Sequence, residues 1–383
     1  MFLNTYRTKT DLKIKTIRFR IRLINKNIAM YRAKTSNHTP QKLALLLLIL
    51  LTSIQLPAQE IQTFKAKKGD GIYSVLKQNG YSYSRYSEQF IELNKDRLGK
   101  DNALIIGVTY KLPIKGDSIK NTAPAAKVQA KPEPAPEIVS YEVFGQAYRD
   151  VTIKSKELAG AVYFLESGHG GPDPGAMGVL NGHTLCEDEY AYDVTLRLAR
   201  NLIERGATVY LIVRDPNDGI RDQQYLEPDK DEVCYPNNEI PLNQVARLKQ
   251  STDAVNALHA LNKKKFQRLI VIHVDSRDEK TNIDVFFYYD KRSNTGKKAA
   301  NTLMQTFEKK YAMHQPNRGY SGSVSERNLY VMKNSLPPAV FIELGNINHT
   351  RDQQRLIIPD NRQAIANWLR DGLIEDFKKS IVK

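Results

Sequence analysis

Three short runs of unbroken apolar residues, Ala161–Leu165, Leu269–Ile272 and Ala339–Ile342, constrain this chain most, because each leads directly toward a side chain able to bind a metal or move a proton. The first opens into the loop Glu166-Ser-Gly-His-Gly-Gly171, the second closes on His273 and the third on Glu343. Runs this short and continuous read as strands buried on both faces. They alternate with helical stretches at Glu187–Glu204, Asn243–Leu261, Thr295–Tyr311 and Asn361–Phe377. Tyr190, Val194, Leu198 and Leu202 stripe the first helix at four-residue intervals, and Gly206 closes it. Further strands are expected at Thr208–Val213, Val285–Tyr289 and Asn328–Met332. The pattern predicts an α/β fold over residues 141–383, a mostly parallel open sheet with helices on both faces. Strand carboxyl ends in such a sheet share one rim, where ligands bind, and that rim would gather His169, His273 and Glu343.

The net charge of +15 raises nucleic acid as a partner, and its distribution removes that reading. Residues 1–42 carry eleven Lys and Arg against Asp11, so +10 of the total lies there and +5 in everything downstream. A basic head before the apolar stretch Leu43–Leu51 has the layout of a secretory signal, with Ala58 as the cleavage point, so residues 1–58 are expected to direct export to the periplasm or cell wall. Met30 as the true start would give a leader of ordinary length. The apolar stretch is shorter than the roughly 20 residues of a membrane span, so none is expected in the mature chain. Cys186 and Cys234 are the two cysteines; in an exported protein they either pair or stay as two buried thiols.

Residues 60–114 read as a βααβ unit, with strands at Gln62–Ala66 and Val108–Leu112, helices at Ile72–Gln78 and Ser87–Leu93, and Gly80 and Gly107 as stops. Lys68-Gly-Asp-Gly-Ile-Tyr73, Leu93-Asn94 and Gly107-Val-Thr-Tyr-Lys-Leu-Pro113 make this unit resemble a LysM module. The resemblance implies binding to N-acetylglucosamine-containing glycans such as peptidoglycan, with Gly69, Asp70 and Asn94 as candidate contacts. Residues 115–140, rich in Pro, Ala, Lys and Glu without a hydrophobic period, read as a solvated linker.

Each rim residue has a purely structural alternative. Gly168, Gly170 and Gly171 let the chain turn tightly around His169, and a loop of that kind can also be a plain turn or an anion nest. Glu187 fits a capping box with Thr184, and Asp188 and Glu189 stand close enough to compete with it as a ligand. His273 could be a hydrogen-bonded core residue, with Asp275 either beside it as an orienting partner or facing substrate. Glu343 is the hardest to explain structurally, because a carboxylate after four apolar residues is costly to bury unpaired. Two imidazoles and a carboxylate, with a further carboxylate as base, are the ingredients of a zinc hydrolase.

The segments Ser167-Gly-His-Gly-Gly-Pro-Asp-Pro-Gly-Ala-Met-Gly178, Glu187 ahead of Val194 and Leu198, Leu269-Ile-Val-Ile-His273 and Pro338-Ala-Val-Phe-Ile-Glu-Leu-Gly345 together resemble zinc-dependent N-acetylmuramoyl-L-alanine amidases of the amidase-3 family. Arg318-Gly319 and Leu329-Tyr-Val-Met332 resemble the segment before the last motif. The resemblance covers about residues 158–378. It implies one Zn²⁺ held by His169, Glu187 and His273, Glu343 as catalytic carboxylate, and Asp275 and Arg318 toward substrate. The bond cut would be the amide between the lactyl group of N-acetylmuramic acid and L-alanine of the stem peptide. Asp275 in place of asparagine, Asn346-Ile347 after the catalytic glutamate and Ser167 in place of proline depart from the pattern without removing a ligand. Two other functions compete: a non-catalytic wall-binding protein, and a zinc peptidase acting within stem peptides. Some family members carry an inhibitory helix released by an activator protein; here Tyr288–Asn294 leaves no room for that insert, although an activator as partner stays open. The unusual segment is Asp215–Pro241, a charged insertion expected to border the substrate groove, with Cys186–Cys234 as a conceivable tether.

Overall fold

The structure is a computed structural model and describes residues 62–114 apart from 68–69, 82 and 100–101, and residues 137–381 apart from 316–317. The expected leader, most of the linker and Gly69 lie outside the described residues. The first stretch contains β1 (Thr63–Lys65), α1 (Ile72–Gln78), α2 (Tyr83–Asn94) and β2 (Thr109–Lys111), with the two strands antiparallel. Val75, Leu76, Phe90 and Tyr110 are fully buried and give this unit a core of its own.

The second stretch begins with β3 (Ile138–Ser140) and β4 (Asp150–Thr152), an antiparallel pair. The expected linker is therefore too long by its last residues, because Ile138–Ser140 gain ladder hydrogen bonds that no apolar run announces. Next come β5 (Ala161–Ser167), the hairpin β6 (Met177–Leu180) and β7 (His183–Cys186), α3 (Glu187–Ile203), β8 (Thr208–Leu211), β9 (Val213–Arg214), β10 (Val233–Cys234), β11 (Asn238–Glu239) and α4 (Gln244–Leu261). The chain continues through β12 (Phe266–Asp275), β13 (Phe286–Tyr289), α5 (Asn294–His314), β14 (Ser323–Glu326), α6 (Tyr330–Asn334), β15 (Ala339–Asn346), α7 (Thr350–Ile357) and α8 (Pro359–Ile381).

Six strands form the main sheet in the order β14-β13-β15-β12-β5-β8. All neighbours are parallel except β13 and β15. Every residue of β5 and β15 is buried, as continuous apolar runs require of strands covered on both faces. Tyr190, Val194 and Leu198 of α3 pack with Leu303 of α5 and Leu369 of α8 against one face. Val255 and Leu258 of α4 and Val331 of α6 cover the other. The chain leaves β5 for β8 on one side and then crosses to β12 on the other, so β5 and β12 flank the topological switch point where a ligand crevice is expected.

The expected strand at Asn328–Met332 is instead the start of α6. Five mostly apolar residues carry no period that separates strand from helix. Side-chain hydrogen bonds from Asn334 to the Tyr330 carbonyl (2.8 Å) and from Ser335 to the Val331 carbonyl (2.5 Å) favour the helical turn. The edge position falls to β14, whose polar sequence Ser-Val-Ser-Glu hides it from any apolar pattern.

Candidate metal centre

His169 stands just past β5, Glu187 opens α3, and His273 lies near the end of β12. Each can offer one ligand atom such that the three atoms lie within 4.8 Å of one another. His273 Nδ1 is 2.7 Å from Glu187 Oε1, His169 Nε2 is 3.3 Å from Glu187 Oε2, and the two rings meet edge to face at 5.0 Å. Donors bonded to one ion at about 2.0–2.2 Å must approach one another this closely.

The backbone is shaped for that approach. His169 has φ of +66°, a conformation uncommon outside glycine. A Cβ on Gly168 would fall 2.1 Å from the His273 ring, and one on Gly175 would fall 2.7 Å from both Glu187 and His169. Glu187 does not form the capping box: Cys186 is the cap residue without a side-chain bond, and the Glu187 carboxylate accepts from the amides of Ala176 (2.8 Å) and Val274 (3.0 Å). Asp188 and Glu189 turn away into another cluster. Asp173, which no sequence pattern singles out, binds His169 Nδ1 at 2.8 Å and is itself held by Arg247. A carboxylate behind a ligating imidazole fixes the ring and its tautomer. Nothing in the sequence distinguishes Arg247 from other helix-surface arginines.

The three donors are electrostatically coupled. Burial would lower the His169 pKa, but Asp173 and Glu187 outweigh it and raise it to about 10. Burial would raise the pKa of Glu187, yet the two imidazoles hold it below the ordinary carboxylate range. Burial keeps His273 lowered despite Glu187, leaving it the neutral ligand form. The donor set of two imidazoles and a carboxylate, and its spacing, fit a divalent metal.

Glu343 is the direct neighbour of His273 across the parallel pair β12 and β15. Both residues follow the alternation that places Val271 and Phe341 on the same sheet face, and the Phe341 ring stacks on His273 at 4.3 Å. Glu343 is 7% exposed and its Oε2 has no hydrogen-bond partner among the described residues. Burial first, then the charges of Glu187 and Asp275, push its pKa well up. A cavity of about 230 Å³ opens beside His169 and His273, with Glu166 and Arg247 in its wall.

Other expected contacts fall differently. Asp275 lies near the centre and bonds Arg277 at 2.7 Å. The Arg318 guanidinium pairs with Asp284 at 2.5 Å and covers the Tyr311 ring. Asp70 accepts from the Lys67 amide at 2.7 Å. Asn94 is buried, and its amide bonds the backbone of Phe90 and Lys111, which makes it a clamp within the small unit rather than a glycan contact. Cys186 and Cys234 are both free and buried, so no tether joins them; Cys234 packs in the core cluster under α4. The insertion reaches the loop that carries His169, where Glu232 accepts from the Gly171 amide at 2.6 Å.

Residues 164–375 match the amidase-3 family of N-acetylmuramoyl-L-alanine amidases. The chain belongs to this family. It is 24% identical over 228 residues to a germination-specific N-acetylmuramoyl-L-alanine amidase of Bacillus subtilis, a match covering 58% of this chain and 82% of that protein. It is 23% identical over 227 residues to an uncharacterized cell wall amidase of Bacillus anthracis, covering 58% of this chain but 36% of that protein. The catalytic domain of the amidase CwlV from Bacillus (Paenibacillus) polymyxa matches at 20% identity with a TM-score of 0.42, over 57% of this chain and 98% of that one.

Proposed function

We propose that this protein is a peptidoglycan hydrolase, a zinc-dependent N-acetylmuramoyl-L-alanine amidase that cuts the amide between the lactyl group of N-acetylmuramic acid and L-alanine of the stem peptide. The observation that carries this reading is the meeting of His169, Glu187 and His273 at one rim, with the unpartnered carboxylate of Glu343 in register beside His273. His169, Glu187 and His273 would hold the ion, each oriented by the chain itself: His169 by Asp173, Glu187 by the amides of Ala176 and Val274, and His273 by packing on Phe341. When bound, zinc lowers the pKa of water toward neutrality and polarises a carbonyl. Glu343 takes the proton of the attacking water and returns it to the departing alanine amine, a task suited to a buried carboxylate of raised pKa. Asp275, close enough to influence Glu343, and Arg318 are the candidates for substrate contact.

The βααβ unit would serve as a LysM-like anchor on peptidoglycan glycans, with Gly69 and Asp70 as candidate contacts. The basic head and apolar stretch of residues 1–58 would export the chain to the periplasm or cell wall. Among the described residues no helix is long and apolar enough to cross a membrane.

Mass spectrometry of peptidoglycan digested by the full chain tests this. The amidase leaves free stem peptides starting at L-alanine and intact lactyl ends on the glycan. Shortened peptides would show a peptidase instead, and no release would leave a wall-binding protein. Glu343→Gln should lower the rate by about 10²–10⁴-fold while keeping the metal and binding to peptidoglycan.

A further inference from the structure

The insertion Asp215–Pro241 brings acidic side chains to the start of α3, beside the metal centre but separate from it. Asp188, Glu189 and Glu232 can each offer an oxygen such that all three atoms lie within 4.8 Å of one another, and Glu232 forms a second such group with Asp215 and Asp229. Asp188, Glu189, Asp215 and Glu232 are each less than 5% exposed. Arg221 reaches this cluster, bonding Glu189 at 2.7 Å, but it divides its charge with Asp218. One guanidinium does not neutralise five carboxylates.

A second observation points to a ligand. Asp188 is 3% exposed, its Oδ1 accepts from the Glu189 amide at 2.9 Å, and its Oδ2 is buried with no hydrogen-bond partner among the described residues. A buried carboxylate oxygen without a donor, set among other carboxylate oxygens, is placed to serve as a ligand to a cation. Burial first, then neighbouring acids, lift Glu232 to about 7, and burial lifts Asp215 to about 6, the behaviour of carboxylates short of positive charge.

The donors are all oxygen, without histidine or cysteine, which selects a hard cation. Carboxylates from an irregular loop and a helix end suit the flexible, many-oxygen shell of calcium better than the strict octahedron of magnesium. We propose that Asp188, Glu189 and Glu232, joined by Asp215 and Asp229, form a calcium site that fastens the insertion to the start of α3. Glu232 also holds the Gly171 amide, so an ion here would steady the loop that carries His169. The proposal is independent of which bond the enzyme cuts.

Calorimetric titration of calcium into the zinc-loaded, calcium-stripped full chain tests it. One equivalent should bind with Kd of about 10⁻⁴–10⁻³ M, the range of extracellular modules, and raise Tm by roughly 3 °C or more at saturation. Asp215→Asn and the half-buried Asp229→Asn should each weaken binding by about tenfold or more while zinc content stays unchanged. No heat and no Tm shift up to about 10 mM calcium, ten times the weak end of that range, would overturn the site. So would binding indifferent to both substitutions, and equal affinity for magnesium would overturn the assignment to calcium. Stem-peptide release is measured separately, so failure here leaves the amidase reading untouched.

Discussion

Gly168 leaves the space of a methyl group to the His273 ring, and that exchange sets how close two histidines from different strands can come. Gly168→Ala places a carbon 2.1 Å from the ring, so either the ring or the loop must move. We expect metal affinity to fall by about 10–100-fold, the scale on which groups that position a ligand act, as measured by competition with a chromophoric chelator. A fall in Tm without loss of metal would contradict the geometry. At this scale the sequence was informative about His169, His273 and Glu343, because the last two close unbroken apolar runs and the first lies in the glycine-rich loop just after one. It was ambiguous about Glu187, whose neighbours Asp188 and Glu189 share its chemistry; only the fold shows that Glu187 turns toward the histidines while the other two turn to Glu232. Asp173 and Arg247 were invisible as a pair, since they are 74 residues apart and meet only in the folded chain.

Helix α3 owes its position to a buried charge cluster as much as to its apolar stripe. Asp193 accepts from Arg197 at 2.7 Å, from Arg362 of α8 at 2.6 Å and from the Arg221 amide at 2.8 Å, and the side chains of Asp193, Arg197 and Arg362 are fully buried. Burial alone would raise the Asp193 pKa, but Arg197 and Arg362 outweigh it and hold it at about 2. A depressed carboxylate contributes stability above the unfolded value near 4 and loses it as pH falls toward 2. Asp193→Asn should cost about 3–5 kcal/mol in urea unfolding of the metal-free protein near neutral pH, since it leaves the buried Arg362 without a carboxylate and Arg197 with Asp222 alone. It should also flatten the decline in stability between about pH 4 and 2; an unchanged acid profile would refute the assignment. In the small unit, Asn94→Ala unties α2 from β2, removing bonds worth about 1–3 kcal/mol. Amide exchange within residues 62–114 should then quicken by about 10–100-fold, with exchange across the main sheet unchanged. Elements with a period or a continuous apolar run were legible, as α3 and β15 show. Those whose residues are polar or mixed, β3, β14 and the hairpin β6–β7, acquire their structure from partners and left no local trace.

The order of the sheet explains why the centre lies where it does. Because the chain leaves β5 in one direction and returns to β12 from the other, the loops after these two strands diverge and leave a crevice, which His169 and His273 line. β15 lies next to β12 in parallel register, which sets Glu343 beside His273 without any further device. The mostly parallel architecture could be read from strand and helix alternation, and with it the shared rim. The antiparallel entry of β13 could not, since direction leaves no mark on an apolar strand. Cys186 immediately precedes Glu187, so a sulfur ligand is the natural competitor to the set of His169, Glu187 and His273. X-ray absorption at the zinc edge of the loaded full chain decides between them. Nitrogen and oxygen scatterers alone are expected, at about 2.0–2.2 Å with an imidazole signature of two rings, whereas a sulfur shell near 2.3 Å would contradict the His-Glu-His centre.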